Sequence, residues 1–120
     1  MIKTVSDLDV FRVSYQIAME IFQFSRVFPK EEKYSLTDQV VRSSRSIAAN
    51  IAEGWGKRIY ENEFKKHLIY AMGSLEETKV WMIFAKDCGY ITEERLNEIT
   101  EKFNSVGGKI YKLYKNWKTV

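Results

Sequence analysis

Leu96, Ile99, Phe103, Val106, Ile110, Leu113 and Trp117 stand alternately three and four residues apart. An α-helix brings side chains at that spacing onto one face, so this line predicts a long helix with a single apolar seam. The same period runs through most of the chain. Val10, Val13, Ile17, Ile21, Phe24 and Phe28 form one line, widened by Phe11, Tyr15, Ala18 and Phe22. Leu36, Val40, Ile47 and Ile51 form another. Phe64, Leu68, Ala71, Leu75, Thr78, Met82 and Ala85 make a coiled-coil-like seam. Punctuation divides these lines into four helices. The first runs from about Asp9 to Val27 and is stopped by Pro29, which has no N–H to donate. The second opens at Ser35, an expected N-cap, and should close at Gly54-Trp55-Gly56, where the glycines offer a C-cap. The third spans about Tyr60 to Cys88, ahead of Gly89, and the fourth begins at Thr92-Glu93-Glu94. Gly107-Gly108 breaks the last seam at a cost of about 1–2 kcal/mol, for which close approach of a neighbouring helix is the expected compensation.

All three connections are short, and short links make successive long helices antiparallel neighbours. The chain is therefore read as all-α, an up-down-up-down antiparallel four-helix bundle, with residues 1–120 forming a single domain. One proline and six glycines are too few for a fold of many short strands and turns. The longest apolar run, Val80 to Ala85, is far short of the roughly 18–20 residues of a membrane helix. The N-terminus lacks the pattern of a signal peptide, and the lone Cys88 cannot make an internal disulfide. These features point to a cytoplasmic protein with no membrane partner.

The helices carry more apolar surface than one bundle hides. Val80-Trp81-Met82-Ile83-Phe84 exceeds a full helical turn, so it is apolar in every direction. A helix apolar all round must be buried all round. Phe11, Tyr15, Phe22, Val80, Trp81, Ile83 and Phe84 are thus candidate contacts of a homo-oligomer with closed cyclic symmetry. The plain alternative is a scatter of exposed hydrophobes on a monomer.

The second helix has a polar line beside its apolar one. Gln39, Ser43, Ser46 and Asn50 are spaced four, three and four, with Arg42 and Glu53 alongside. Amides at partly buried sites must find hydrogen-bond partners or cost about 1–3 kcal/mol each. The line is read as fixing register between helices or subunits, or as presenting Arg42 and Arg45 to a ligand or nucleic acid.

The run Gln39…Arg42…Ser46-Ile47…Asn50-Ile51-Ala52-Glu53-Gly54 resembles the signature of the four-helix-bundle proteins encoded in intervening sequences of bacterial 23S rRNA genes. The resemblance continues through Asp7-Leu8-Asp9-Val10-Phe11, Phe28-Pro29, Glu63-Phe64, Ala71-Met72-Gly73-Ser74-Leu75-Glu76-Glu77 and Asp87-Cys88-Gly89-Tyr90-Ile91, covering nearly the whole chain. It departs at Ala48, where relatives often carry proline, at Ser43 and Ser44, where alanine is common, and at His67, where an aromatic is usual. The resemblance implies an up-down bundle assembled as a ring of five. A similar protein is the accessory factor of diversity-generating retroelements, a basic pentamer that engages a reverse transcriptase and nucleic acid. No activity of the family transfers to this chain.

The residues offer no constellation for catalysis and no cofactor or metal motif. Di-metal bundles use a Glu-x-x-His pair on each of two helices. Here the single histidine follows Glu63 by four, not three. His67 lies among Phe64, Leu68 and Ala71 and is read as a satisfied, semi-buried histidine. Gly54-Trp55-Gly56 lacks the rest of a nucleotide-binding fingerprint.

Charge is uneven although its sum is only +3. Glu76 to Glu101 holds seven acids and three bases, whereas Lys102 to Val120 holds five lysines and no acid. Two basic clusters are candidate nucleic-acid contacts. One is Arg42, Arg45, Lys57, Arg58, Lys65 and Lys66, around the link between the second and third helices. The other is Lys109, Lys112, Lys115 and Lys118, interleaved with Tyr111 and Tyr114. Lysines every third residue wind around a helix, so this second set makes no flat face. The leading expectation is a homo-oligomeric scaffold that binds RNA or DNA without sequence specificity. Its competitor is a protein–protein adaptor whose charge serves solubility.

Overall fold

The computed structural model describes residues 2–119. Four helices account for most of them: α1 (Asp9–Ser25), α2 (Leu36–Gly56), α3 (Glu61–Asp87) and α4 (Glu93–Asn116). Short 3₁₀ turns, Val5–Asp7 and Lys30–Glu32, precede α1 and α2. α2 and α4 each pack against both α1 and α3, and the backbones of the diagonal pairs do not come together. The result is an up-down-up-down bundle of four antiparallel helices, an elongated body of 49 × 25 × 20 Å.

The seams meet on the bundle axis. Phe64, Phe103, Ile17, Ile21, Ile47, Ile51, Leu68, Met82 and Ile99 are fully buried. Each such side chain stabilises the bundle by about 1.5–3 kcal/mol relative to exposure. The helix ends differ from expectation in instructive ways. Ser35 occupies the N-cap position of α2, but its hydroxyl donates to Glu32 Oε1 at 2.6 Å instead of capping. The Glu32 carboxylate accepts the Leu36 N–H in its place. Glu32 also accepts from the Tyr90 hydroxyl at 2.8 Å, which ties the α1–α2 connection to the α3–α4 turn. The Ser35 and Tyr90 hydroxyls hold the Glu32 carboxyl below its usual range, and the bond to Glu32 pushes the Tyr90 phenol up to about 12. Thr92 caps α4 as expected, accepting from the Arg95 N–H at 3.1 Å.

Gly89 ends α3 with φ at 82°, and the N–H groups of Gly89 and Tyr90 satisfy the carbonyls of Lys86 and Ala85. Gly54 and Gly56 do not supply the expected C-cap. Both lie within α2, and neither has a positive φ. Gly54 has another reason to be glycine. A Cβ there would stand 2.8 Å from the Cβ of His67 and 3.2 Å from the Phe64 carbonyl oxygen. The α2 backbone meets α3 at this point, and only hydrogen fits between them.

The two glycines of α4 also separate. A Cβ on Gly107 would meet Leu75 Cδ2 at 3.2 Å, so close approach accounts for this one. Nothing lies within 4 Å of the same position on Gly108. Gly108→Ala is therefore expected to stabilise the fold by about 0.5–1 kcal/mol, through lower backbone entropy in the unfolded chain. A higher urea midpoint would register it, and a lower one would mean that packing at Gly108 is as tight as at Gly107.

Candidate nucleic-acid interface

The antiparallel topology brings the α2–α3 connection and the C-terminus of α4 to the same end of the bundle, so Lys57, Arg58, Lys65 and Lys66 share that end with the lysines of α4. Aromatic packing joins them. Trp117 lies edge-on to Phe64, with ring centroids 4.8 Å apart, and to Trp55 at 5.9 Å. The Arg58 guanidinium covers the outer face of Trp55 at 4.0 Å from its centroid. Beyond the helix, Thr119 donates its N–H to Glu61 at 2.9 Å and its hydroxyl to the Arg58 carbonyl at 2.8 Å. Lys65 sits over the ring of Tyr114 at 5.6 Å. This end comprises residues 3–12, 53–67 and 109–118, with ten Lys and Arg side chains against five acids. The remainder of the chain has nine bases and eleven acids. A modest net charge thus becomes a polarised molecule.

Not every expected contact belongs to this surface. Arg42 and Arg45 stand ~16–21 Å along α2 from its C-terminus, too far to join the connection cluster. Arg42 faces Asp38 at 4.0 Å, and Arg45 stacks over Phe22 on α1. Several other candidates are already engaged. Lys65 pairs with Glu61 at 3.4 Å, Lys66 with Glu63 at 3.2 Å and Lys109 with Asp9. Among the described residues, Lys57, Arg58, Lys112, Lys115 and Lys118 of this end enter no ion pair, although Lys118 lies near enough to Glu61 to help hold its carboxyl below the usual range.

Lys57, itself exposed, stands at the end of a polar ladder between α2 and α3. Thr78 donates to Ser43 Oγ at 2.9 Å, and Ser74 to Ser46 Oγ at 2.9 Å. Asn50 Nδ2 donates to the Ser46 carbonyl, and its Oδ1 faces His67 Nδ1 at 3.3 Å. Lys57 Nζ approaches His67 Nε2 at 3.2 Å. An ammonium only donates, so Nε2 accepts and the ring proton sits on Nδ1, aimed at Asn50 and at Glu53 Oε2, 3.4 Å away. His67 is buried, deeper than the semi-buried position expected of it. Gln39 is exposed and takes no part in the ladder. Among the described residues, no buried side-chain nitrogen or oxygen lacks a partner. The line Ser43–Ser46–Asn50 therefore sets the register of α2 on α3 within one subunit and leaves no polar group aimed at a ligand.

The expected oligomer contacts fall on the outside of the bundle. Tyr15, Val80, Ile83 and Phe84 are exposed, whereas Phe11, Phe22 and Trp81 are half-buried. Trp81 donates its indole N–H to Glu77 at 3.0 Å and packs on Phe84. Met19 and Ile69, outside the expected set, extend the two apolar stripes along α1 and α3. Exposed Tyr60 at the basic end, and exposed Tyr70 just beyond it along α3, were also missed. Their signal was a tyrosine two residues after Arg58 and another one helical turn after Lys66.

No group of three or more His, Cys, Asp or Glu side chains among the described residues is placed to hold a metal. None of these helices is long and apolar enough to cross a membrane.

An antiparallel four-helix bundle with a polar register line on its second helix and glycine at the α2–α3 contact defines a narrow class of helical proteins. The chain belongs to the 23S rRNA-intervening sequence protein family, whose model matches residues 6–117. Among solved structures, it is similar to a protein of unknown function of the S23 ribosomal protein family from Bacteroides thetaiotaomicron. The two are 25% identical with a TM-score of 0.80, over 89% of this chain and 99% of that one. No curated protein matches the chain.

Proposed function

We propose that this protein is a non-enzymatic, cytoplasmic, homo-oligomeric scaffold that binds RNA or DNA without sequence specificity through the basic end of its bundle. The observation that carries the reading is the convergence of basic residues distant in sequence, from the α2–α3 connection and the end of α4, on one end of the bundle that holds ten Lys and Arg side chains against five acids. The exposed stripes on α1 and α3 support self-assembly. These helices are diagonal in the bundle, so their outer faces point away from each other. Two different faces on opposite sides suit a head-to-tail contact, which closes into a ring. We propose five subunits, the number that the family resemblance implies. A ring of five chains at +3 carries about +15, with every basic end on the same side.

The test joins mass to affinity. Light scattering at micromolar concentration should give a multiple of the 14.2 kDa chain. Affinity for an arbitrary RNA should fall by about 10³–10⁵ between 50 and 200 mM salt if 6–10 phosphates are contacted. Replacing Lys112, Lys115 and Lys118 with Glu should lower the salt slope by about one per lysine. A monomer mass would remove the scaffold. No binding of RNA or DNA at 50 mM salt would leave the protein–protein adaptor in its place.

A further inference from the structure

The basic end exposes tyrosines between its cations. Tyr60 is 65% exposed, and Tyr70 and Tyr111 are each 51% exposed. Each has a basic neighbour within one turn: Arg58 two residues before Tyr60, Lys66 four before Tyr70, and Lys115 four after Tyr111. Side chains four apart on a helix are neighbours on its surface. Tyr70 packs edge-on against His67, with ring centroids 5.5 Å apart, and each of the three rings keeps half or more of its surface in solvent. Beneath them, the Trp55–Phe64–Trp117 cluster and the Thr119 bonds hold the two helix ends together. Three of the five acids of this surface are paired with cations: Glu61 with Lys65, Glu63 with Lys66, and Asp9 with Lys109.

We infer that the ligand of this end is single-stranded nucleic acid, its phosphates on the lysines and its bases stacked on Tyr60, Tyr70 and Tyr111. The inference rests on the nucleic-acid reading above and specifies the state of the strand. A duplex buries the faces of its bases in its own stack and offers a protein only phosphates and groove edges. A single strand offers phosphates and free π-faces together. Stacking of a base on an aromatic side chain is tolerant of sequence, because every base has a face. Lysine alone does not distinguish the two forms, whereas an exposed tyrosine beside a lysine does.

The test uses a labelled oligouridine of about 16 nucleotides, within the span of known single-strand sites, and a hairpin duplex of similar charge. Fluorescence anisotropy at 50 mM salt should show the single strand bound more tightly than the hairpin. Replacing Tyr60 and Tyr111 together with Ala should weaken the single strand by about five- to one-hundred-fold per lost stack and leave hairpin binding and the salt slope unchanged. Phe at both positions should restore the affinity. Tyr34 is 86% exposed at the opposite end, and Tyr34→Ala should change nothing. All three substituted positions are exposed, so circular dichroism should show every variant folded. Equal binding of hairpin and single strand, or unchanged affinity in the Ala variant, overturns the single-strand assignment while nucleic-acid binding stands. Failure of the wild type to bind either probe overturns both readings.

Discussion

Phe64→Ala is expected to destabilise the protein by about 3–5 kcal/mol, a large part of the 5–15 kcal/mol that holds a domain of this kind together. Phe64 is wholly buried where α2, α3 and the end of α4 meet. Its ring is the edge partner of both Trp55 and Trp117. Removing it takes away the transfer free energy of the ring and leaves a cavity walled by two indoles and by the α2 backbone at Gly54. That wall is stiff, because the Ser43–Thr78 and Ser46–Ser74 bonds fix α2 on α3. Collapse into the cavity should therefore be incomplete. The damage should also be local in kind. Trp117 loses its nearest aromatic neighbour, so amide protection at the end of α4 should fall more than that at Ile99 or Phe103. Urea unfolding at fixed protein concentration, followed by hydrogen exchange, reads both effects. A cost below about 1 kcal/mol would mean that the α2–α3–α4 junction repacks freely and that its end of the bundle is not a rigid platform.

Gly54→Ala should destabilise by about 1–3 kcal/mol, opposite in sign to what helix propensity alone requires. An alanine inside an ordinary helix is about 1 kcal/mol better than glycine. At Gly54 the new methyl meets His67 Cβ, Phe64 Cδ1 and the Phe64 carbonyl, at 2.8, 3.1 and 3.2 Å. Two of these atoms are close to or in the backbone and cannot rotate away. α2 must lift from α3, which stretches the contact of His67 with Asn50 and of Ser74 with Ser46. Gly54→Ala and Gly108→Ala should thus move the urea midpoint in opposite directions, although both place alanine in a helix. A stabilising Gly54→Ala would mean that the α2–α3 contact is loose enough to absorb a methyl group.

The four helices are legible because their cause is local. Apolar residues three and four apart, Pro29, Gly89 and Thr92 each act within a few residues of themselves, and all do in the fold what their chemistry requires. The C-cap expected at Gly54 failed for the opposite reason. Glycine serves equally as a left-handed stop and as a close-packing site, and the choice rests with His67, thirteen residues away in sequence and in contact in space. Arg42 and Arg45 were placed beside Lys57 by counting along the chain, but a helix puts them well along the body of the bundle. Lys57 is exposed, and its ammonium lies against His67, a contact set by the packing of α2 on α3.

By itself the sequence determined four amphipathic helices, their antiparallel order, and an excess of apolar side chains on α1 and α3. Periodicity and chain stops are short-range properties, carried by backbone geometry and burial. Only the tertiary structure decided which charges stay free and where they gather. Ion pairing depends on distances between helices, as Lys109 with Asp9 and Lys102 with Glu20 demonstrate across α1 and α4. The same packing brought the bases around the α2–α3 connection and those at the end of α4, far apart in sequence, to one end of the bundle.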